Sequence, residues 1–149
     1  MRPRELIGCL FVACAAQTAV AQGCNIAVTP VAFGTYDPYQ TVSLGATGTI
    51  EVTCAKATPY TIRLGSGQNT SDSSLRRMRH AGGMGTLTYM LYRNASGTEI
   101  WADGTHSTFT QSGIAATTAV RLVVYGRLPG RQNVRAGSYA DMVTVTAEW

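Results

Sequence analysis

The side chains of this 149-residue chain with the widest chemical reach are four cysteines and two histidines. Transition-metal sites need ligands at short, regular spacings. His80 and His106 stand 26 residues apart and share no cysteine or carboxylate pattern, so no metal centre is expected. A hydrolase would want a nucleophile on a shaped turn beside a histidine base. Gly65-Ser66-Gly67 comes nearest, and it lacks the Gly-x-Ser-x-Gly frame. Gly82-Gly83-Met84-Gly85 has glycines like a phosphate loop but not its lysine. No helical pattern follows it to aim backbone N–H groups at an anion, so it reads as a turn. Trp101, beside Asp103-Gly104, could serve a sugar-binding surface, but a single aromatic at a strand end reads first as core or rim. Neither an enzymatic activity nor a cofactor is expected.

The cysteines divide by position. Arg2 and Arg4 precede an apolar run from Leu6 to Ala16, and Ala19-Val20-Ala21 follows as an A-x-A cleavage pattern. This is the layout of a secretory leader over residues 1–21, cleaved after Ala21. The run meets Gln17 and Thr18 well short of the roughly 20 apolar residues a membrane span needs. No transmembrane segment is therefore expected after cleavage, and the chain is expected to be exported. Cys9 and Cys14 leave with the leader, while Cys24 and Cys54 stay as an even pair in an oxidising compartment. One disulfide is expected.

Residues 22–149 are of a length for one domain with a real core. Losing Arg2, Arg4 and Glu5 lowers the net charge from +4 to +3, too mild to argue for nucleic acid. Arg76-Arg77-Met78-Arg79-His80 concentrates the charge and reads as a solvated loop or strand end. The elements show in period-two alternation. Ile50, Val52 and Cys54 share a face, as do Tyr60, Ile62 and Leu64; Leu87, Tyr89 and Leu91; Val120, Leu122 and Val124; and Val143, Val145, Ala147 and Trp149. Turn-forming clusters separate them, such as Tyr36-Asp37-Pro38-Tyr39, Asn94-Ala95-Ser96-Gly97 and Pro129-Gly130. Ser66 to Ser74 reads as a mobile loop. With no persuasive helical period, the expectation is an all-β domain. A β-sandwich fits the many short strands better than a barrel, although periodicity alone does not separate the two.

An ordered set of segments resembles a known family. It runs from Cys24 through Val31-Ala32-Phe33-Gly34-Thr35-Tyr36-Asp37-Pro38, Gly48-Thr49-Ile50-Glu51-Val52-Thr53-Cys54, Pro59-Tyr60-Thr61-Ile62 and Arg77-Met78. It continues through Leu87-Thr88-Tyr89-Met90-Leu91-Tyr92, Val124-Tyr125-Gly126-Arg127 and Gly137-Ser138-Tyr139-Ala140-Asp141-Met142-Val143-Thr144-Val145. The set resembles the spore coat protein U domain family, which includes archaic, Csu-type chaperone–usher pilus subunits, across nearly all of residues 22–149. The resemblance implies an incomplete immunoglobulin-like β-sandwich that lacks its last strand. In that family a periplasmic pilus chaperone, then the N-terminal strand of a neighbouring subunit, completes the fold in trans, with an outer-membrane usher guiding assembly. Val143, Val145, Ala147 and Trp149 are then the candidates for the acceptor-groove wall, since the final strand of the family pairs with chaperone and donor.

One departure sets the expected role. Family members that form the pilus shaft carry a donor segment before the first cysteine, whereas cleavage after Ala21 leaves Gln22-Gly23. Two residues cannot supply alternate side chains along an extended strand. The implied function is a structural or adhesive pilus subunit at a tip or terminal position. A secreted spore or cell-surface coat protein that does not exchange strands is the second reading.

Overall fold

The computed structural model describes the backbone of residues 4–9 and residues 23–149 in full, so the predicted cleavage site at Ala21 lies outside the described residues. Ten strands follow one another: β1 (Arg4–Cys9), β2 (Cys24–Thr29), β3 (Leu44–Cys54), β4 (Thr58–Leu64), β5 (Arg76–His80), β6 (Thr86–Tyr92), β7 (Gln111–Ala115), β8 (Val120–Leu128), β9 (Tyr139–Ala140) and β10 (Met142–Glu148). There is no helix among the described residues. They form a four-stranded sheet in the order β1-β10-β4-β7 and a six-stranded sheet in the order β2-β3-β8-β6-β5-β9, and all named pairings are antiparallel.

Alternation decides which side chains meet between the sheets. Along β3, β6 and β8 the buried residues include Ile50 and Val52, Leu87, Tyr89 and Leu91, and Leu122 and Val124; from the other sheet come Tyr60, Ile62 and Leu64 of β4 and Val143, Val145 and Ala147 of β10. This is a two-layer sandwich with one core, and the alternation read from the sequence corresponds to its inner faces. Glycine marks the places where backbone must come close. A Cβ at Gly48 would stand 2.6 Å from the Thr29 carbonyl oxygen, and one at Gly126 would stand 2.5 Å from Phe33 Cζ. Both positions make room for the Val31–Phe33 segment as it leaves β2.

Trp101 is fully buried and donates its indole N–H to the Ile62 carbonyl at 3.1 Å. It is a core residue, so the sugar-surface alternative is set aside. Gly83 and Gly85 take positive φ in the turn joining β5 to β6. The basic run differs in part from expectation. It forms β5, whose first residue, Arg76, is completely buried while Arg77 and Arg79 face solvent. The period-two geometry of a strand turns Arg76 and Met78 to the same inner face, where a loop would have solvated all three arginines.

Candidate functional site

β10 is the element on which the site is built. Its inner face carries Val143, Val145 and Ala147, all buried. On one side it pairs with β4, Val145 opposite Leu64 and Ala147 opposite Ile62. On the other it pairs with β1 along six residues, from Arg4 opposite Ala147 to Cys9 opposite Met142. The segment that completes this edge is therefore drawn from the predicted leader.

Beside that edge the two sheets enclose an apolar cavity of about 20 Å³. Val143, Val145 and Leu64 line it from the smaller sheet, Val28, Ile50, Leu91 and Val124 from the larger, and Val31 from the segment that follows β2. The seam thus runs between β10 and the end of β2, which is itself an edge strand of its sheet. Of the four residues singled out in the sequence, Val143 and Val145 reach this cavity, Ala147 is buried further along the strand, and Trp149 lies beyond the strand end, partly buried against the core. Val28 and Val31 were missed. Val28 alternates with Cys24 and Ile26, but its place in the seam is set by the β2–β3 register, which puts it opposite Ile50, and Val31 reaches the seam from the segment that follows β2.

The disulfide expected from the cysteine count is present: Cys24 and Cys54 are bonded and stand opposite each other in the β2–β3 ladder. It ties β2, on the far side of the seam from β10, to the body of the larger sheet.

A polar pivot fixes where β10 starts. The chain passes from β9 in one sheet to β10 in the other at Asp141, whose carboxylate is buried. Asp141 Oδ2 accepts the Tyr89 hydroxyl at 2.6 Å, and Oδ1 accepts the Gln68 N–H at 2.9 Å and the Asn69 side-chain amide at 3.0 Å. The Ser66–Ser74 loop, expected to be mobile, is anchored to the pivot at Gln68 and Asn69. A Cβ at Gly67 would run into the same carboxylate, and Gly67 sits at φ +89°. Burial, reinforced by this carboxylate, pushes the Tyr89 hydroxyl far up, so it stays a proton donor.

Arg76 lies close by. Its Nε donates to the Gly65 carbonyl at 2.8 Å and its Nη2 to the carbonyls of Trp101 at 2.8 Å and Leu64 at 3.3 Å. Burial lowers its guanidinium to about 10, with Tyr89 and Asp141 opposing the shift. The cation still holds its proton at neutral pH and clamps the end of β4 beside β10.

Asp141→Ala is expected to cost about 2–3 kcal/mol, since it leaves the buried Tyr89 hydroxyl and the Gln68 N–H without an acceptor. Urea unfolding would show this as a lower midpoint at unchanged slope. Tyr89→Phe, which leaves Asp141 its two other donors, should cost about 1 kcal/mol.

No cluster of three or more metal-ligating side chains occurs among the described residues. His80 accepts the Gly82 N–H at 2.9 Å and packs edge-on against Tyr139, while His106 lies in the exposed loop after β6. Ser66 Oγ bonds only the Gly67 carbonyl, at 3.5 Å, and approaches neither histidine within hydrogen-bonding reach.

These features define a class of protein: an all-β sandwich with one disulfide and an apolar seam along the edge of its last strand. The chain belongs to the spore coat protein U domain family, whose profile matches residues 10–146. It is 36% identical over 126 residues to Protein U of Myxococcus xanthus, across 76% of this chain and 68% of that one. In fold it is similar to a chain of the CsuC–CsuE chaperone–tip adhesion subunit pre-assembly complex from archaic chaperone–usher Csu pili of Acinetobacter baumannii, with a TM-score of 0.62 and 23% identity. That match covers 85% of this chain and 39% of the other, so this chain spans about two fifths of its solved neighbour.

Proposed function

We propose that this protein is a strand-accepting subunit of a surface pilus, exported through the periplasm and assembled there by a pilus chaperone and an outer-membrane usher. The observation that carries this reading is the pairing of β10. Its second edge is closed by Arg4–Cys9, residues that signal cleavage would remove. Cleavage exposes a row of unpaired backbone N–H and C=O groups next to an apolar seam. A donor strand satisfies both at once, with ladder hydrogen bonds from its backbone and alternate side chains in the slot. Val143 and Val145 form the floor of that slot, and Ala147 and Trp149 extend its wall. The role is structural, with no catalytic step.

Position in the fibre follows from the same cleavage. With Gln22-Gly23 alone ahead of Cys24, the subunit accepts a strand and has none to give, which fits a terminal, tip position. The solved neighbour, a chain of a chaperone–tip adhesion subunit complex, supports this reading at the level of fold. The family name and the likeness to Protein U favour a second reading, a secreted coat component that packs on a surface without strand exchange.

Titrating residues 22–149 with the N-terminal peptide of a companion shaft subunit separates the two. A peptide that binds only the folded chain at 100 times its Kd adds about 2.7 kcal/mol, equivalent to a rise in Tm of about 10 °C for a domain of this size. N-terminal sequencing of the exported protein should begin at Gln22. A hard-to-melt monomer indifferent to donor peptides would leave the coat reading standing, and spontaneous homopolymers of the unmodified chain would remove the terminal position.

A further inference from the structure

The outer face of the six-stranded sheet carries a second cleft, of about 320 Å³, across the sheet from the seam. Val124 of β8 points into the seam, and Tyr125, the next residue, points the other way into this cleft. Two cross-strand rows build it: Thr47, Tyr125 and Tyr92 in one, Gly45 and Arg127 in the other. The turn Asn94–Gly97 closes one side, placing Ala95 and Gly97 on the rim.

Arg127 is the informative residue. Its guanidinium lies 5.5 Å from the centre of the Tyr92 ring, and a Cβ at Gly97 would meet it at 2.8 Å. It is thus held between an aromatic face and a glycine. Other arginines that are similarly fixed have acceptors: Arg93 pairs with Glu99, Arg63 with Glu148, and Arg76 bonds three carbonyls. Arg127 has neither a hydrogen bond nor an ion pair with any described residue, and the hydroxyls of Tyr125 and Thr47 are likewise unbonded. The cleft therefore presents a preorganised cationic fork, two free hydroxyls and an aromatic surface above a floor of small residues.

We infer that this cleft binds an acidic sugar residue, such as a uronic acid unit of a polysaccharide. A planar guanidinium matches a carboxylate in bidentate geometry. The hydroxyls of Tyr125 and Thr47 suit ring hydroxyls, and the half-buried Tyr125 ring suits the apolar face of a pyranose. The volume is at the small end of the range for ligand sites, roughly 300–1,000 Å³, which fits one ring better than an extended chain buried throughout. A glutamate side chain from a protein partner would use the arginine and leave the rest of the cleft unaddressed. Because the cleft is on the opposite face of β8 from the seam, it stays open however the fold is completed.

Binding of trigalacturonic acid to the full exported chain, followed by isothermal titration, tests this against galactose trisaccharide and a hexaglutamate peptide. Arg127→Gln should weaken trigalacturonate binding at least tenfold, and Arg127→Lys nearly as much, since it keeps the charge and loses the fork. Gly97→Ala should weaken it too by displacing the guanidinium. Arg121→Gln, an exposed arginine on the same strand, should leave it unchanged, and circular dichroism would verify that each variant folds. Equal binding of the neutral trisaccharide, equal loss with Arg121→Gln, tighter Arg127-dependent binding of hexaglutamate, or no binding of the acidic sugar would each overturn the assignment.

Discussion

Replacing Val145 with aspartate is expected to abolish both stable folding of the exported chain and its rescue by a donor strand. Val145 is 3% exposed, faces the seam cavity, and sits opposite Leu64 on one side and Leu6 on the other. No cation is hydrogen-bonded or ion-paired within this seam, which is lined by aliphatic residues, one threonine and one proline. An unpaired carboxylate there should cost about 3–5 kcal/mol, a large part of the stability of a small domain. The same charge at Thr146 should matter far less. Thr146 points to the outer face, opposite Arg63, whose guanidinium already reaches Glu148 at 3.2 Å. Cross-strand opposite charges are tolerated or mildly favourable. Val145→Ala supplies the intermediate case, since it removes packing without adding charge and should cost about 1–3 kcal/mol. Periplasmic yield and the donor-dependent rise in Tm are the measurements. Equal behaviour of the aspartates at 145 and 146 would show that β10 presents no buried face to a donor.

Much of the inner architecture was legible because it is local. Ile50 and Val52, Leu87, Tyr89 and Leu91, and Val143, Val145 and Ala147 reveal their shared faces through spacing alone, and each set is buried. The disulfide was legible through compartment chemistry. The pivot was not. Asp141 finds its partners at Gln68, Asn69 and Tyr89, between 52 and 73 residues away, and Arg76 caps carbonyls 11, 12 and 25 residues away. A charge next to other charges reads as solvated until the strand that turns it inward is known. β7 was hidden for a different reason. Gly113 interrupts its pattern, and that glycine is required because a Cβ there would stand 2.6 Å from the Tyr60 hydroxyl. The seam combines both cases: its β10 wall is a local alternation, and its β2 wall depends on register.

Breaking the Cys24–Cys54 bond is expected to lower stability by roughly 3–4 kcal/mol, from the entropy of a loop closed across a separation of 30 residues. The consequence for function is sharper than that figure implies. The bond joins directly opposed residues at one end of the β2–β3 ladder, and Val28, near the other end of β2, lines the seam. Without the bond, β2 is held to its sheet by the ladder to β3 alone, at the rim where the proposed donor strand would enter. A donor strand at 100 times its Kd returns about 2.7 kcal/mol, less than the bond supplied. At that peptide concentration complementation should therefore restore the Cys24→Ala, Cys54→Ala double variant only in part, leaving its Tm below that of the peptide-free oxidised chain. The single variants should fall at least as far, since each leaves an unpaired thiol in the core. Intact mass of the exported protein, about 2 Da below the reduced form because two hydrogens leave as the bond closes, verifies the starting state. A double variant that melts with the oxidised chain, with or without peptide, would place the stability of the seam elsewhere than in the anchoring of β2.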